Sequence, residues 1–119
     1  MNGKAIILAM RPEFWNLIAL GIKTIELRRL APARLHAGQR VFFYCKGCLV
    51  GEASVENFMR GRAEDVARQC WRGSSLSYDQ ALAYLEDGRS PAALELHRVM
   101  PYKKPRTWHG HAPQNFIYR

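Results

Sequence analysis

The sequence predicts an α+β fold: a small, mostly antiparallel barrel of five to six strands with short flanking helices. Three observations lead there. Short apolar or alternating runs, each of strand length, recur along 119 residues. Helical patterns fall between only some of them, whereas a doubly wound sheet needs a helix between most strands. Two of the runs also meet at a tight Lys46-Gly47 turn, which marks a hairpin.

The elements follow in order. Residues 5–10, AIILAM, form a continuous apolar run suited to a buried strand. Pro12 opens a helix, because its missing N–H is unneeded in a first turn. Phe14, Trp15, Leu17 and Ile18 give that helix an apolar face, and Gly21 stops it. A second strand spans residues 24–29, and Pro32 and Gly38 mark the loop after it. RVFFYC, residues 40–45, is the third strand, and residues 48–59 are the fourth, bent at Gly51. Residues 64–71 are helical by period. Ser77 and Gln80 have the spacing of a capping box that opens another helix, stopped at Gly88. Residues 92–102 alternate again. Their apolar face is Ala92, Leu94 and Leu96, continued by Arg98 in strict alternation or by Val99 across a bulge. A polar loop, KKPRTWHGHAPQ, leads to a last strand, NFIYR.

Composition narrows the function classes. The chain reads as one domain over residues 1–119, long enough to bury a core without disulfides or metal. Hydrophobic residues make up 48% and no tract is of low complexity, which excludes a disordered chain. No apolar run nears the roughly 18 residues of a membrane span. AIILAM is too short, and too soon followed by Arg11-Pro12, for a secretory signal. The expectation is a cytoplasmic protein with no membrane partner. The three cysteines, Cys45, Cys48 and Cys70, are an odd and sparse set, which fits a reducing compartment. Cys45 and Cys48 have zinc-knuckle spacing, but a structural zinc site takes four ligands, and only Cys70 and His36 could join them. The plainer reading is a hairpin turn.

Lys and Arg number 18 against 10 Asp and Glu, a net charge of +8. Such a balance suits a polyanionic partner, RNA or DNA, although a basic surface alone produces it too. The segment 102–111 interleaves Tyr102, Trp108, His109 and His111 with Lys103, Lys104 and Arg106. A loop of this kind stacks bases on its rings while its cations take phosphates. The alternative is that Tyr102 and Trp108 plug the end of the barrel. Arg60, Arg62, Arg68 and Arg72 form a second basic group, with Arg68 and Arg72 on one helix face.

GIKTIELRR, residues 21–29, concentrates the chemistry. In an extended chain Thr24, Glu26 and Arg28 lie on one side, and Ile25 and Leu27 on the other. A carboxylate between Lys23 and Arg28 is ionised and orients its neighbours through charge-assisted hydrogen bonds. Donors left free on the cations would then face phosphate or a base edge. An exposed cross-strand ion pair is the structural alternative, worth under about 1 kcal/mol. Arg29 points to the other face and reads as solvated.

Gly21 to Arg28 fit G-x-K-x-x-E-x-R, and in this the chain resembles the ASCH domain, a branch of the PUA-like superfamily. The hairpin RVFFYCKGCLVGEA, the strand AALELHRVMPYKKP and the ending from Ala112 to Tyr118 are also similar to the family, so the resemblance covers nearly the whole chain. It implies a PUA-like pseudo-barrel with a cleft beside the signature strand, and RNA, single-stranded or looped, as partner. Lys23, Arg28, Tyr102, Lys103, Lys104, Arg106 and Trp108 are then the nucleic-acid-binding candidates. The resemblance also implies an alternative, a small RNA-directed hydrolase with Lys23 and Glu26 as catalytic candidates. This is either a ribonuclease assisted by a divalent metal or an amidohydrolase acting on N4-acetylcytidine. In the amidohydrolase branch a threonine nucleophile stands two residues before the motif's arginine. Here that position is Glu26, and Thr24 lies two residues earlier. The carboxylates available for a metal are Glu26, Glu52 and Glu56. No other cofactor is expected.

Overall fold

The computed structural model describes residues 5–118. The Arg119 end of the expected last strand lies outside them. Strands β1 (Ile6–Ala9), β2 (Ile25–Arg28), β3 (Gln39–Cys45), β4 (Cys48–Arg60), β5 (Ala92–Thr107) and β6 (Phe116–Tyr118) form one six-stranded sheet. Its order is β2-β5-β4-β3-β1-β6. The β1–β3 pair is parallel and the other neighbours are antiparallel, so the expected mostly antiparallel architecture is present. Helices α1 (Pro12–Ala19), α2 (Ala63–Cys70) and α3 (Tyr78–Glu86) flank the sheet, with a 3-10 turn over Trp71–Gly73.

Alternation along the strands decides where the core sits. Ile6 and Leu8, Val41 and Phe43, Ala53 and Val55, Leu94 and Leu96 all face the concave side, and Trp15 and Ile18 of α1 fill it. At one end of the convex side α2 and α3 bury Val66, Ala67, Ala81 and Leu85 against Leu27 and Ala93. At the other end Ile7, Phe42 and Leu49 make a smaller cluster, joined by Tyr44, Tyr102 and Trp108.

Local chemistry explains the joints. Lys46 and Gly47 both have positive φ, 50° and 86°, which is the I′ geometry of a two-residue hairpin. Cys45 and Cys48 face each other across it as the last pair of the ladder. The Ser77–Gln80 capping box is complete: Gln80 N donates to Ser77 Oγ at 3.1 Å and Ser77 N to Gln80 Oε1 at 2.9 Å. Gly51 has a packing role. A Cβ there would stand 2.3 Å from the Trp15 ring and 2.9 Å from the Met100 carbonyl. The β4–β5 register shifts between Glu52 and Ser54, where Arg98 takes φ 53° on the opposite strand. That bulge turns Val99, rather than Arg98, against the core.

One element departs from the sequence reading. β5 continues to Thr107, so KKPRT is strand and not loop. Arg106 pairs with Leu49 and Thr107 with Cys48, so the start of β4 carries this segment. β2 accompanies β5 only from Ala92 to Glu95, which leaves the far half of β5 as an edge. An edge tolerates Pro101 and Pro105, which a central strand would not. Among the described residues no helix is long and apolar enough to cross a membrane.

Candidate functional site

The site begins at the end of α1. Gly21, with φ 78°, donates its N–H to Ile18 O at 3.0 Å, and Ile22 donates to Leu17 O at 2.9 Å. This is a Schellman cap, whose left-handed residue is best served by glycine. It turns the chain sharply and delivers Lys23 to the interior, where the residue is only 4% exposed. The Lys23 ammonium donates to Ile25 O (2.8 Å) and Ser74 O (2.9 Å) and lies 3.3 Å from Glu26 Oε1. Burial pushes its pKa below the ordinary lysine value, against the opposing pull of the Glu26 carboxylate.

Glu26 and Arg28 are also buried. Arg28 Nε lies 2.9 Å from Glu26 Oε2, an ion pair whose N–H is not aligned for a hydrogen bond. The terminal nitrogens of Arg28 look the other way. Nη1 donates to Asn115 Oδ1 (2.5 Å) and to Asn115 O (3.4 Å). Nη2 donates to Ala9 O (2.8 Å) and lies 3.3 Å from Met10 Sδ. Asn115 answers with Nδ2 to Leu30 O at 2.9 Å. The signature is thus a buried Lys–Glu–Arg triad rather than an exposed pair. Its cations donate mainly to protein acceptors, whereas the sequence pattern leaves donors free.

Above the triad opens a cleft of about 810 Å³. Lys23, Glu26 and Arg28 line its floor, Ala9, Met10 and Asn115 one wall, and Leu76, Gln80 and Tyr84 another. Phe14 lines it too, its ring centroid 5.7 Å from the Lys23 ammonium. Arg11 and Arg29, both exposed, line it as well. Arg29 keeps to Leu27's side of β2 and stays exposed, as alternation has it; α3 packs on that side, so the guanidinium stacks on Tyr84 at 4.9 Å and lines the cleft as well. Sequence reasoning missed Arg11, Tyr84, Gln80 and Asn115 as lining residues. Only the resemblance of the chain's ending drew notice to Asn115; the others carry no local signal.

Tyr102, Lys103, Lys104, Arg106 and Trp108 are absent from the cleft lining. Tyr102 OH donates to Glu52 Oε2 at 2.7 Å, Arg40 Nη2 donates to Glu52 Oε1 at 2.8 Å, and the Arg106 guanidinium lies 3.9 Å over the Tyr102 ring. Burial, with the Glu52 carboxylate, pushes the Tyr102 hydroxyl up to about 12. The Tyr102 hydrogen bond in turn holds Glu52 below the usual carboxylate range. Trp108 packs on the Ile7–Phe42–Leu49 cluster and donates Nε1 to His111 O at 2.8 Å. Lys103, Lys104 and Arg106 are exposed. In the second basic group, Arg62 pairs with Glu64, Arg68 with Asp65, and Arg60 donates to Pro32 O.

Among the described residues no three His, Cys, Asp or Glu side chains gather to hold a metal ion. Glu26, Glu52 and Glu56 do not come together. Among the described residues Glu26 is the one side-chain carboxylate that lines the cleft, and it is already held between two cations, so this donor set does not fit a divalent metal.

No protein-family model matches the sequence, and no curated protein matches it. Solved structures do. The chain is similar to the ASCH protein of Zymomonas mobilis, with TM-score 0.82 and 24% identity over 98% of this chain and 87% of that one. It is similar to a tyrosine-to-phenylalanine variant of that protein, with TM-score 0.83, 23% identity and coverage of 98% and 90%. The N-terminal domain of Staphylothermus marinus McrB is more distant, at TM-score 0.52 and 11% identity over 90% of this chain and 81% of that one. Such identities speak for the fold, and nearly the whole length of this chain folds as an ASCH domain.

Proposed function

We propose that the chain binds RNA, single-stranded or looped, in the cleft above Lys23, Glu26 and Arg28. One observation carries this reading: among the described residues four cations (Arg11, Lys23, Arg28 and Arg29) and a single carboxylate line the cleft, together with the rings of Phe14 and Tyr84. Cations suit the phosphates, and the rings suit bases free to stack, as they are in single strands and loops. The net charge of +8 adds long-range attraction. Lys23 and Arg28 set the positive field and the shape of the floor. Lys103, Lys104 and Arg106, beside Tyr102 and Trp108, offer a longer strand a second contact at the edge of β5. Binding needs no cofactor, and a cytoplasmic location gives access to RNA. The test is a binding isotherm with labelled single-stranded RNA over a range of salt concentrations. Saturable binding that weakens with salt supports the reading. Binding no better than to an uncharged polymer at low salt ends it.

A second reading, a small RNA-directed hydrolase, draws on the buried Lys23 beside Glu26 on the cleft floor. A lysine of lowered pKa is a candidate proton carrier, and Glu26 would position it. The same samples, run on a denaturing gel and assayed against N4-acetylcytidine, decide it. Turnover that survives repurification and vanishes in Lys23→Met with the fold intact supports this reading. No turnover on either substrate excludes it.

A further inference from the structure

Resting on the RNA reading, the geometry points to Arg11 and Arg29 as the phosphate grip of the cleft. They make it a site for phosphorylated nucleotides in a strand rather than for free nucleosides.

The argument starts from which donors are available. Lys23 and Arg28 carry the positive charge of the floor, but their N–H groups point at Ile25 O, Ser74 O, Ala9 O and Asn115. A phosphate could take those donors only by leaving these buried or part-buried acceptors unpaired, at the full desolvation cost of each. Arg11 and Arg29 differ. Both are exposed and line the same cleft, and neither side chain makes a hydrogen bond or an ion pair among the described residues. Arg29 is also ordered in advance. Its guanidinium lies 4.9 Å over the Tyr84 ring, a cation–π contact that occupies the face of the fork and leaves its edge N–H groups free. An arginine held this way loses less freedom on gripping an oxyanion than a loose one.

Position adds to this. Arg29 follows the last residue of β2, and Arg11 stands immediately before α1. They therefore reach the cleft from two different elements, with the buried triad on the floor. A base seated among Phe14, Tyr84 and the Gln80 amide would leave its sugar-phosphate to the two arginines. A nucleoside has nothing to offer them.

The experiment measures binding of hexauridylate, uridine monophosphate and uridine to the whole chain from 20 to 300 mM salt. The proteins compared are the wild type, Arg11→Ala, Arg29→Ala, Arg29→Lys and Tyr84→Leu. Thermal melts show that each variant is folded. Each arginine-to-alanine change is expected to weaken hexauridylate roughly tenfold. It should also lower the slope of log K against log salt by about 0.7, the share of one phosphate contact to a single strand. Arg29→Lys and Tyr84→Leu are expected to weaken binding less and to keep the slope, because the charge remains. Uridine monophosphate is expected to bind more tightly than uridine. A wild type that binds hexauridylate while both alanine variants keep its affinity and slope would overturn the grip and leave the RNA reading standing. Uridine binding as tightly as its monophosphate would overturn it too. A wild type that binds none of the three ligands at low salt would remove both readings together.

Discussion

Arg28 reaches Asn115 across the open side of the half-barrel, with Nη1 2.5 Å from the Asn115 side-chain oxygen. Arg28 belongs to β2, at one end of the sheet order, and Asn115 immediately precedes β6, at the other. Among the described residues no backbone ladder joins these edges. Side chains do the joining: Arg28 to Ala9 and Asn115, and Asn115 back to Leu30. The arginine of the signature is first of all a clasp.

Arg28→Ala is therefore expected to destabilise the protein by about 3–5 kcal/mol, the usual cost of breaking a buried ion pair from one side. Arg28→Lys should recover only part of the loss, because an ammonium lacks the planar fork that spans Glu26, Ala9 and Asn115 at once. Urea denaturation of the two variants measures this. A loss under about 1 kcal/mol would place Arg28 among ordinary surface pairs.

Glu26 bridges Lys23 and Arg28, so removing its charge leaves two buried cations side by side. Glu26→Gln is expected to cost about as much as Arg28→Ala. Combined with Lys23→Met it should cost less than the sum of the single changes, with a coupling of about 1–3 kcal/mol. A double-mutant cycle in urea reads the coupling directly, and strict additivity would show that the two groups do not depend on each other.

Packing of α1 into the concave face makes Gly51 intolerant of even a methyl group. Gly51→Ala places a Cβ 2.3 Å from the Trp15 ring, and the Met100 carbonyl blocks retreat at 2.9 Å. A loss of about 1–3 kcal/mol is expected. Tryptophan fluorescence should shift in the folded state, since Trp15 must move. An unchanged spectrum with unchanged stability would mean that the helix gives way easily.

The Tyr102–Glu52 contact sets two limits of pH. Tyr102 titrates at about 12 when folded, above its ordinary 10.0, so the folded state favours the neutral hydroxyl. Its contribution to stability is full below about pH 10 and is lost as pH rises toward 12. Glu52 is depressed from 4.5, so its contribution is present above that value and is lost as pH falls through its folded pKa. Tyr102→Phe should flatten both arms of the stability profile. In an ultraviolet titration, the phenolate that forms near pH 12 should vanish in that variant. A wild type with no phenolate forming near 12 would refute the contact.

Much of the site was legible locally, and its wiring was not. The spacing of Lys23, Glu26 and Arg28 already placed a carboxylate between two cations on one side of a strand, and the structure joins those three. What the strand pattern did not reveal is that the side in question is buried. Glu26 and Arg28 face the concave interior beside Leu94, and no two-residue period distinguishes a polar face turned to water from one turned into a cleft. Alternation puts Arg29, exposed, on Leu27's side, where it is, but does not reveal that α3 brings Tyr84 there and makes that side a wall of the cleft. The segment after Tyr102 reads as a loop because it is polar and proline-bearing, yet the start of β4 provides it with a ladder.

By itself, then, the sequence determined what depends on neighbours a few residues apart: the Gly21 helix stop, the Lys46-Gly47 turn, the Ser77–Gln80 cap, and the order of strands and helices. Periodicity and turn chemistry act over that range. The tertiary structure decided the partners of the charged groups. Lys23 meets Ser74 across 51 positions, and Arg28 meets Asn115 across 87. Such contacts exist only after the sheet has curled and the helices have docked. A buried cation takes whichever carbonyls and carboxylates the folded chain brings within hydrogen-bonding distance, because leaving it unpaired in the interior costs more than any local preference can offset.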